Sequence, residues 1–194
     1  HQRAVTSIVT ALKPYQNWYL DLANERDIGD SRFVSFTDLK QLRETAKAIY
    51  PDLLITASAG NDIRPEDLDA YLNIVGVDFI APHRPRTASS AASTAAQTEM
   101  YLLRMKTIGK AVPIHYQEPF RRGYSAWQPV MKDYILDVSS AKKAGAAGWC
   151  FHNGDQRADP KQPARSFDLR EKRLFDQLDP EEMLTIQSLG SLIN

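Results

Sequence analysis

The stretch NWYLDLANERDIG, Asn17 to Gly29, decides how this chain is read. Trp18-Tyr19-Leu20-Asp21-Leu22 is an apolar run of strand length and predicts a buried strand over about 18–23. It runs straight into Asn24-Glu25-Arg26-Asp27. An amide and a carboxylate side by side do not belong in a core. The strand must therefore deliver them to an edge where polar groups meet solvent or a ligand.

Strand and helix patterns alternate on either side of that stretch. Ala4, Ile8, Ala11 and Leu12 fall at helical spacing, with Val5 and Val9 alongside, so a helix precedes the strand. Because the chain begins at His1 already inside this helix, we expect a longer protein. Ser35 followed by Asp38 resembles a capping box. It opens a helix with Leu39, Leu42, Ala46 and Ile49 on one face, which stops before Pro51. DLLITASAG (52–60) predicts a second strand. Pro65 suits a first helical turn, and that helix carries Leu68, Tyr71, Leu72 and Val75 to Gly76. VDFIA (77–81) predicts a third strand running into PHRPR.

A long helix follows, ending at Gly109, with Ala95, Thr98, Leu102, Met105 and Ile108 as its face. KAVPIHYQE (110–118) predicts a fourth strand, Trp127 to Ala144 a helix, and AAGWCFHNG (146–154) a fifth strand. A polar loop over about 155–166 holds Pro160 and Pro163, and a last helix is expected over about 168–188. The charged run DLREKRLFDQLDPEE within it reads as a solvated helix face.

Strands recurring roughly every 25–35 residues fit βα units. Their continuous apolar runs suit a parallel sheet covered on both faces. The fold class is α/β, either a doubly wound open sheet or part of a (β/α)8 barrel, which needs about 250 residues when complete. No G-x-G-x-x-G follows any strand, which weakens a nucleotide-binding reading. Lys+Arg and Asp+Glu both number 24, so the chain lacks the basic footprint of a nucleic-acid binder. No apolar run reaches the length of a membrane span. The one cysteine, Cys150, rules out an intrachain disulfide and argues against a cysteine metal site.

Polar residues collect at the strand ends: Asn24-Glu25, His83-Arg84, His115-Tyr116-Gln117-Glu118, and Phe151-His152-Asn153. In a parallel α/β protein that edge carries the active site. Glu25 and Glu118 each directly follow a predicted strand, and two carboxylates facing across a barrel mouth are what glycosidic cleavage needs.

DLANE (21–25), followed by a later strand ending in Glu118, resembles the (β/α)8 glycoside hydrolases of clan A, which include the cellulase-like family 5. In that clan strand four ends in Asn-Glu, and strand seven ends in the second Glu. The resemblance implies that the whole chain, 1–194, is one catalytic-barrel portion, strands four to eight with their helices. It implies Glu25 as acid/base, Glu118 as nucleophile, and a retaining mechanism with carboxyl groups about 5–5.5 Å apart. Asn24 would then bond the sugar 2-hydroxyl, and His83 would match the sixth-strand position beside the nucleophile. Tyr116, sharing side-chain parity with Glu118, would face the mouth. Trp149, slightly early for the strand-eight platform, and His152 would complete the substrate-binding set. No metal or cofactor is needed. The implied partners are an oligo- or polysaccharide and the N-terminal part of the same barrel, and the implied location is secreted or periplasmic.

Two other readings use the same residues. One is a metal-assisted hydrolase using His83, His115, His152 and a Glu, although no H-E-x-x-H spacing is present. The other is a non-catalytic carbohydrate-binding or scaffold barrel. Each residue also has a plainer role: an Asn after a strand ties a turn, a Glu pairs with an Arg, and a strand Tyr packs. Arg26, Arg84 and Arg121 would oppose or complement the carboxylates only if they point inward.

Overall fold

Around the first strands, side chains take places that main-chain groups would otherwise fill. The computed structural model describes residues 1–153 and 167–193, so the expected loop over about 155–166 lies outside the described residues. The first expected strand is a two-residue ladder, β1 (Leu20–Asp21). It runs parallel to β2 (Ile55–Thr56), with Leu20 opposite Ile55 and Asp21 opposite Thr56. One residue later the chain forms β3 (Ser58–Ala59), which pairs instead with β4 (Ala81–Pro82). The single strand expected over 52–60 is therefore split at Ala57. Side-chain oxygens mark the switch: Asp21 Oδ1 accepts the Ser58 N–H at 3.0 Å, and Asp78 Oδ2 accepts the Ile55 N–H at 2.8 Å. Thr56 Oγ1 donates to the Phe79 carbonyl at 2.7 Å.

The described residues divide into two compact units, His1–His83 with Met100–Tyr116, and Arg84–Glu99 with the described part of Gln117–Asn194. In the first unit, neighbouring strands are consecutive in the chain. β1 lies beside β2, β3 beside β4, and Ile80 bridges in parallel to Ile114 just before β5 (His115–Tyr116). That order shows none of the reversal that defines a doubly wound sheet. No closed sheet is found among the described residues.

α1 (Gln2–Leu12) packs on α2 (Phe36–Ile49) and buries Val5 and Val9. The expected face was one step off, since Ile8 and Leu12 stay exposed. Ser35 caps α2 by accepting the Asp38 N–H at 3.1 Å, and Leu39, Leu42 and Ala46 are buried as expected. α3 (Pro65–Ala70) starts on its proline and widens into a π turn, Tyr71–Val75, which Gly76 ends in the left-handed region at φ 74°.

α4 (Ser90–Ile108) contributes 100–108 to the first unit and 90–99 to the second. Its buried side is Ala91, Thr94, Thr98, Tyr101 and Met105, so Thr98 and Met105 of the expected face are buried while Ala95, Leu102 and Ile108 are only half-buried. Threonine can occupy that side because its hydroxyl bonds the carbonyl one turn back: Thr94 Oγ1 to Ser90 at 3.0 Å and Thr98 Oγ1 to Thr94 at 2.7 Å.

In the second unit, α5 is Met131–Ala144, four residues shorter than expected. Pro129 disfavours helical backbone at Gln128, so Trp127 lies before the helix. It packs against a core of Ala91, Phe120 and Tyr134 with Trp149 and Phe151. β6 is Gly148–Trp149. The last helix, α6 (Pro180–Ile193), packs on α5 and begins well after the expected 168. Asp179 and Glu182 bond each other's amide N–H at 2.9 and 2.8 Å, a reciprocal cap with Pro180 in the first turn. Local ion pairs, Arg170 with Asp168 and Arg173 with Asp176, occupy the charged run before it. No helix among the described residues is long and apolar enough to cross a membrane.

Candidate functional site

The first unit carries Asn24, Glu25, His83 and Tyr116, and the second carries Glu118, Trp149 and His152. Glu25 sits in the turn that follows β1, at φ 50°. This is the left-handed region, which a side chain occupies only when its surroundings compel it. Ser58 supplies two of the bonds that do so. Its hydroxyl oxygen accepts the Glu25 N–H at 3.0 Å, and its carbonyl accepts the Arg26 N–H at 3.0 Å. The Glu25 carboxylate, 19% exposed, meets fully buried His83, with Oε1 3.1 Å from Nδ1. In this contact the ring nitrogen donates, Nδ1–H to the carboxylate oxygen. His83 is held by β3, its N–H donating to the Ala59 carbonyl at 2.9 Å.

Arg26 is buried against α2, its Nε donating to the Val34 carbonyl at 2.9 Å and its guanidinium 3.9 Å from the Phe36 ring centre. Asp27 accepts the Gly60 N–H at 2.7 Å. Asp21, inside the strand, has its carboxyl pushed up by burial, an effect that hydrogen bonds from Ser58 and Ala23 partly offset. Asn24 is exposed and lines an open cleft of about 860 Å³ with Ala23, Arg32, Phe33 and Gln41. Tyr116 is fully buried. His115 lies edge-on to Tyr19 and Phe79, where burial lowers its pKa.

In the second unit, Glu118 follows β5, and its carbonyl accepts the Arg84 N–H at 3.1 Å. Arg86 Nη2 donates to Glu118 Oε2 at 3.0 Å, and His152 Nε2 is 3.6 Å from the same oxygen. Arg121 Nη1 approaches His152 Nε2 to 2.9 Å. A guanidinium only donates, so Nε2 must accept and the His152 proton sits on Nδ1. Both arginines also lie over the Tyr124 ring, at 4.2 and 5.0 Å from its centre. Arg84 is buried on the start of α4, donating to the Ser90 carbonyl and to Ser93 and Thr94. Trp149 packs on the Phe120 and Tyr134 core, with its indole N–H donating to buried Asp137 at 2.6 Å.

The structure therefore joins Glu25 to His83 in one unit and Glu118 to His152 in the other, and ties Trp149 to the core. Ser58, Asp21, Arg86 and Tyr124 were not singled out from the sequence. Asp21 had a usable signal, a carboxylate inside an apolar run. Arg86 lay in PHRPR, where only His83 and Arg84 drew notice.

No protein-family model and no curated protein matches the sequence. Solved structures do share the fold. The chain is similar to a psychrophilic glycoside hydrolase family 10 endo-β-1,4-xylanase (TM-score 0.54, 17% identity, 77% of this chain and 55% of that one). It is similar to the hyperthermostable endo-1,4-β-D-mannanase from Thermotoga petrophila RKU-1 (TM-score 0.55, 17% identity, 98% and 64%). It is also similar to the catalytic domain of a mannanase from Streptomyces sp. SirexAA-E (TM-score 0.55, 13% identity, 99% and 59%). The chain spans 55–64% of the length of these structures. At such identities the likeness is one of fold, and the neighbours are (β/α)8-barrel glycosidases of the clan that DLANE resembles.

Proposed function

We propose that this chain is the C-terminal portion, strands four to eight, of a retaining glycoside hydrolase that cleaves an oligo- or polysaccharide. Glu25 is the acid/base and Glu118 the nucleophile. The observation that carries the reading is Glu25 itself: a strand-end carboxylate in the left-handed region, seated on a buried histidine, in a chain with the fold of barrel glycosidases.

Chemistry follows from the two environments. Glu25 Oε1 accepts from His83 Nδ1–H, so the proton it passes to the leaving oxygen is carried on Oε2. The Arg86 bond to Glu118 Oε2 orients the carboxylate, which attacks the anomeric carbon. Glu25, now ionised, then takes a proton from the water that releases the covalent intermediate. Asn24 contributes a hydrogen bond to the sugar.

In the full-length protein, Glu25→Gln and Glu118→Gln should each lower hydrolysis of xylan, mannan or an aryl β-glycoside by about 10²–10⁴-fold, with the melting temperature kept. The first product should retain anomeric configuration by NMR. Full turnover in either variant, or an inverted product, sinks the assignment.

A further inference from the structure

A glutamate at φ 50° carries a steric cost that ordinary backbone regions do not. That cost persists only where several contacts select the conformation. Here Ser58, which is fully buried, bonds Ala23, Glu25 and Arg26 of the turn. Its oxygen accepts the Glu25 N–H, its carbonyl accepts the Arg26 N–H, and its hydroxyl faces the Ala23 carbonyl at 3.5 Å. Ser58 is in turn fixed from β1, because its own N–H donates to Asp21 Oδ1 at 3.0 Å. Asp21 Oδ1 also takes the Ala23 N–H at 3.3 Å. All of these contacts lie in the first unit. None reaches the Glu25 carboxylate; they act on the backbone that aims it.

We propose that Ser58, anchored by Asp21, is the positioning residue for Glu25: it holds the left-handed turn that lays the Glu25 carboxylate on His83 Nδ1. This rests, for its catalytic meaning, on the glycosidase reading. Removing the hydroxyl leaves the Glu25 amide without its acceptor while the strain remains. The cheapest relief is rotation of the peptide between Asn24 and Glu25, which returns Glu25 to an ordinary backbone region and swings its carboxylate off His83. β2, β3 and the apolar core need not change. A serine that only stitched two strands together would leave the state of the His83 ring unaltered.

The test uses the full-length protein labelled with ¹⁵N-histidine. His83 is assigned by His83→Gln. In the wild type, His83 should show one fixed ring state with a proton held on Nδ1. Ser58→Ala should convert it to the mixed, exchanging tautomers of an untethered imidazole, in the direction that Glu25→Ala also moves it. The same variant should lower kcat by about 10²-fold, with KM within about twofold. Asp21→Ala, which frees Ser58, should give the same spectral change and serves if Ser58→Ala does not fold. An unchanged His83 signal in either folded variant overturns the proposal whatever the activity. A shifted signal with unchanged kcat overturns it too. If the signal shifts but the wild-type protein hydrolyses no glycoside, Ser58 still positions Glu25 and the glycosidase reading alone has failed.

Discussion

The backbone at Glu25 can be tested apart from its carboxylate. Glu25→Ala and Glu25→Gly both delete the contact to His83, so that loss cancels when the two variants are compared. What remains is φ 50°. Alanine keeps the Cβ that makes this region costly, by about 1–2 kcal/mol, and glycine does not. Glycine in turn loses more chain entropy on folding, by about 0.4–1 kcal/mol. Strain is the larger effect, so Glu25→Gly should be the more stable variant by about 0.5–1 kcal/mol, the reverse of the ordinary order. For a chain of this size that is about 1–4 °C in Tm. Urea denaturation of both proteins, followed by the same probe, measures the difference. If Glu25→Ala proves as stable as Glu25→Gly or more so, the left-handed turn is not an imposed conformation, and its link to function falls with it.

Two further outcomes concern neighbouring carboxylates. Burial holds the Asp21 pKa above 3.8, so the folded state binds that proton more tightly than the unfolded chain does. Its contribution is fully present below about pH 4 and is lost as pH rises through the folded pKa. Asp21→Asn keeps an oxygen for the Ser58 N–H without the charge. It should therefore gain stability over wild type between about pH 4 and 7, and a pH-independent difference in urea midpoints would refute this. Trp149→Phe removes the indole donor from buried Asp137 and should cost about 2 kcal/mol in denaturant unfolding; a loss under about 0.5 kcal/mol would show that the carboxylate does not depend on it.

Signals carried by neighbouring residues were legible in the sequence. Ser35 with Asp38, Pro65 at a helix start and Gly76 past its end each act within a turn of their own position, and each sits where the pattern places it. The Asp179-Pro180-Glu182 cap was equally readable but was absorbed into the charged run around it. Signals that depend on a distant partner were not legible. Strand length could not be read, because apolar runs do not reveal that Asp21 and Asp78 will take amides from the next strand. Of the expected α4 face only Thr98 and Met105 are buried, because hydropathy ranks Thr94 below Leu102 until the carbonyl one turn back is counted. At the candidate site, the strand-end position of Glu25 was evident, and its seat on His83 follows from two strand ends lying on one edge. Ser58 looked like one more small residue in ITASAG, since nothing local shows that its hydroxyl meets residues 33–35 positions earlier.

The side chains that interrupt the ladders also act as a key for alignment. Two-residue strands offer little backbone pairing to tell one alignment from its neighbour. A slip of one position would part Asp21 from the Ser58 amide, Asp78 from the Ile55 amide and Thr56 from the Phe79 carbonyl, all at once. Each parted group, if buried, costs about 1–3 kcal/mol. Misaligned collapse during folding is thus penalised at three points besides the reversal of every side chain between faces. Short strands can be as uniquely aligned as long ones when polar side chains carry the alignment.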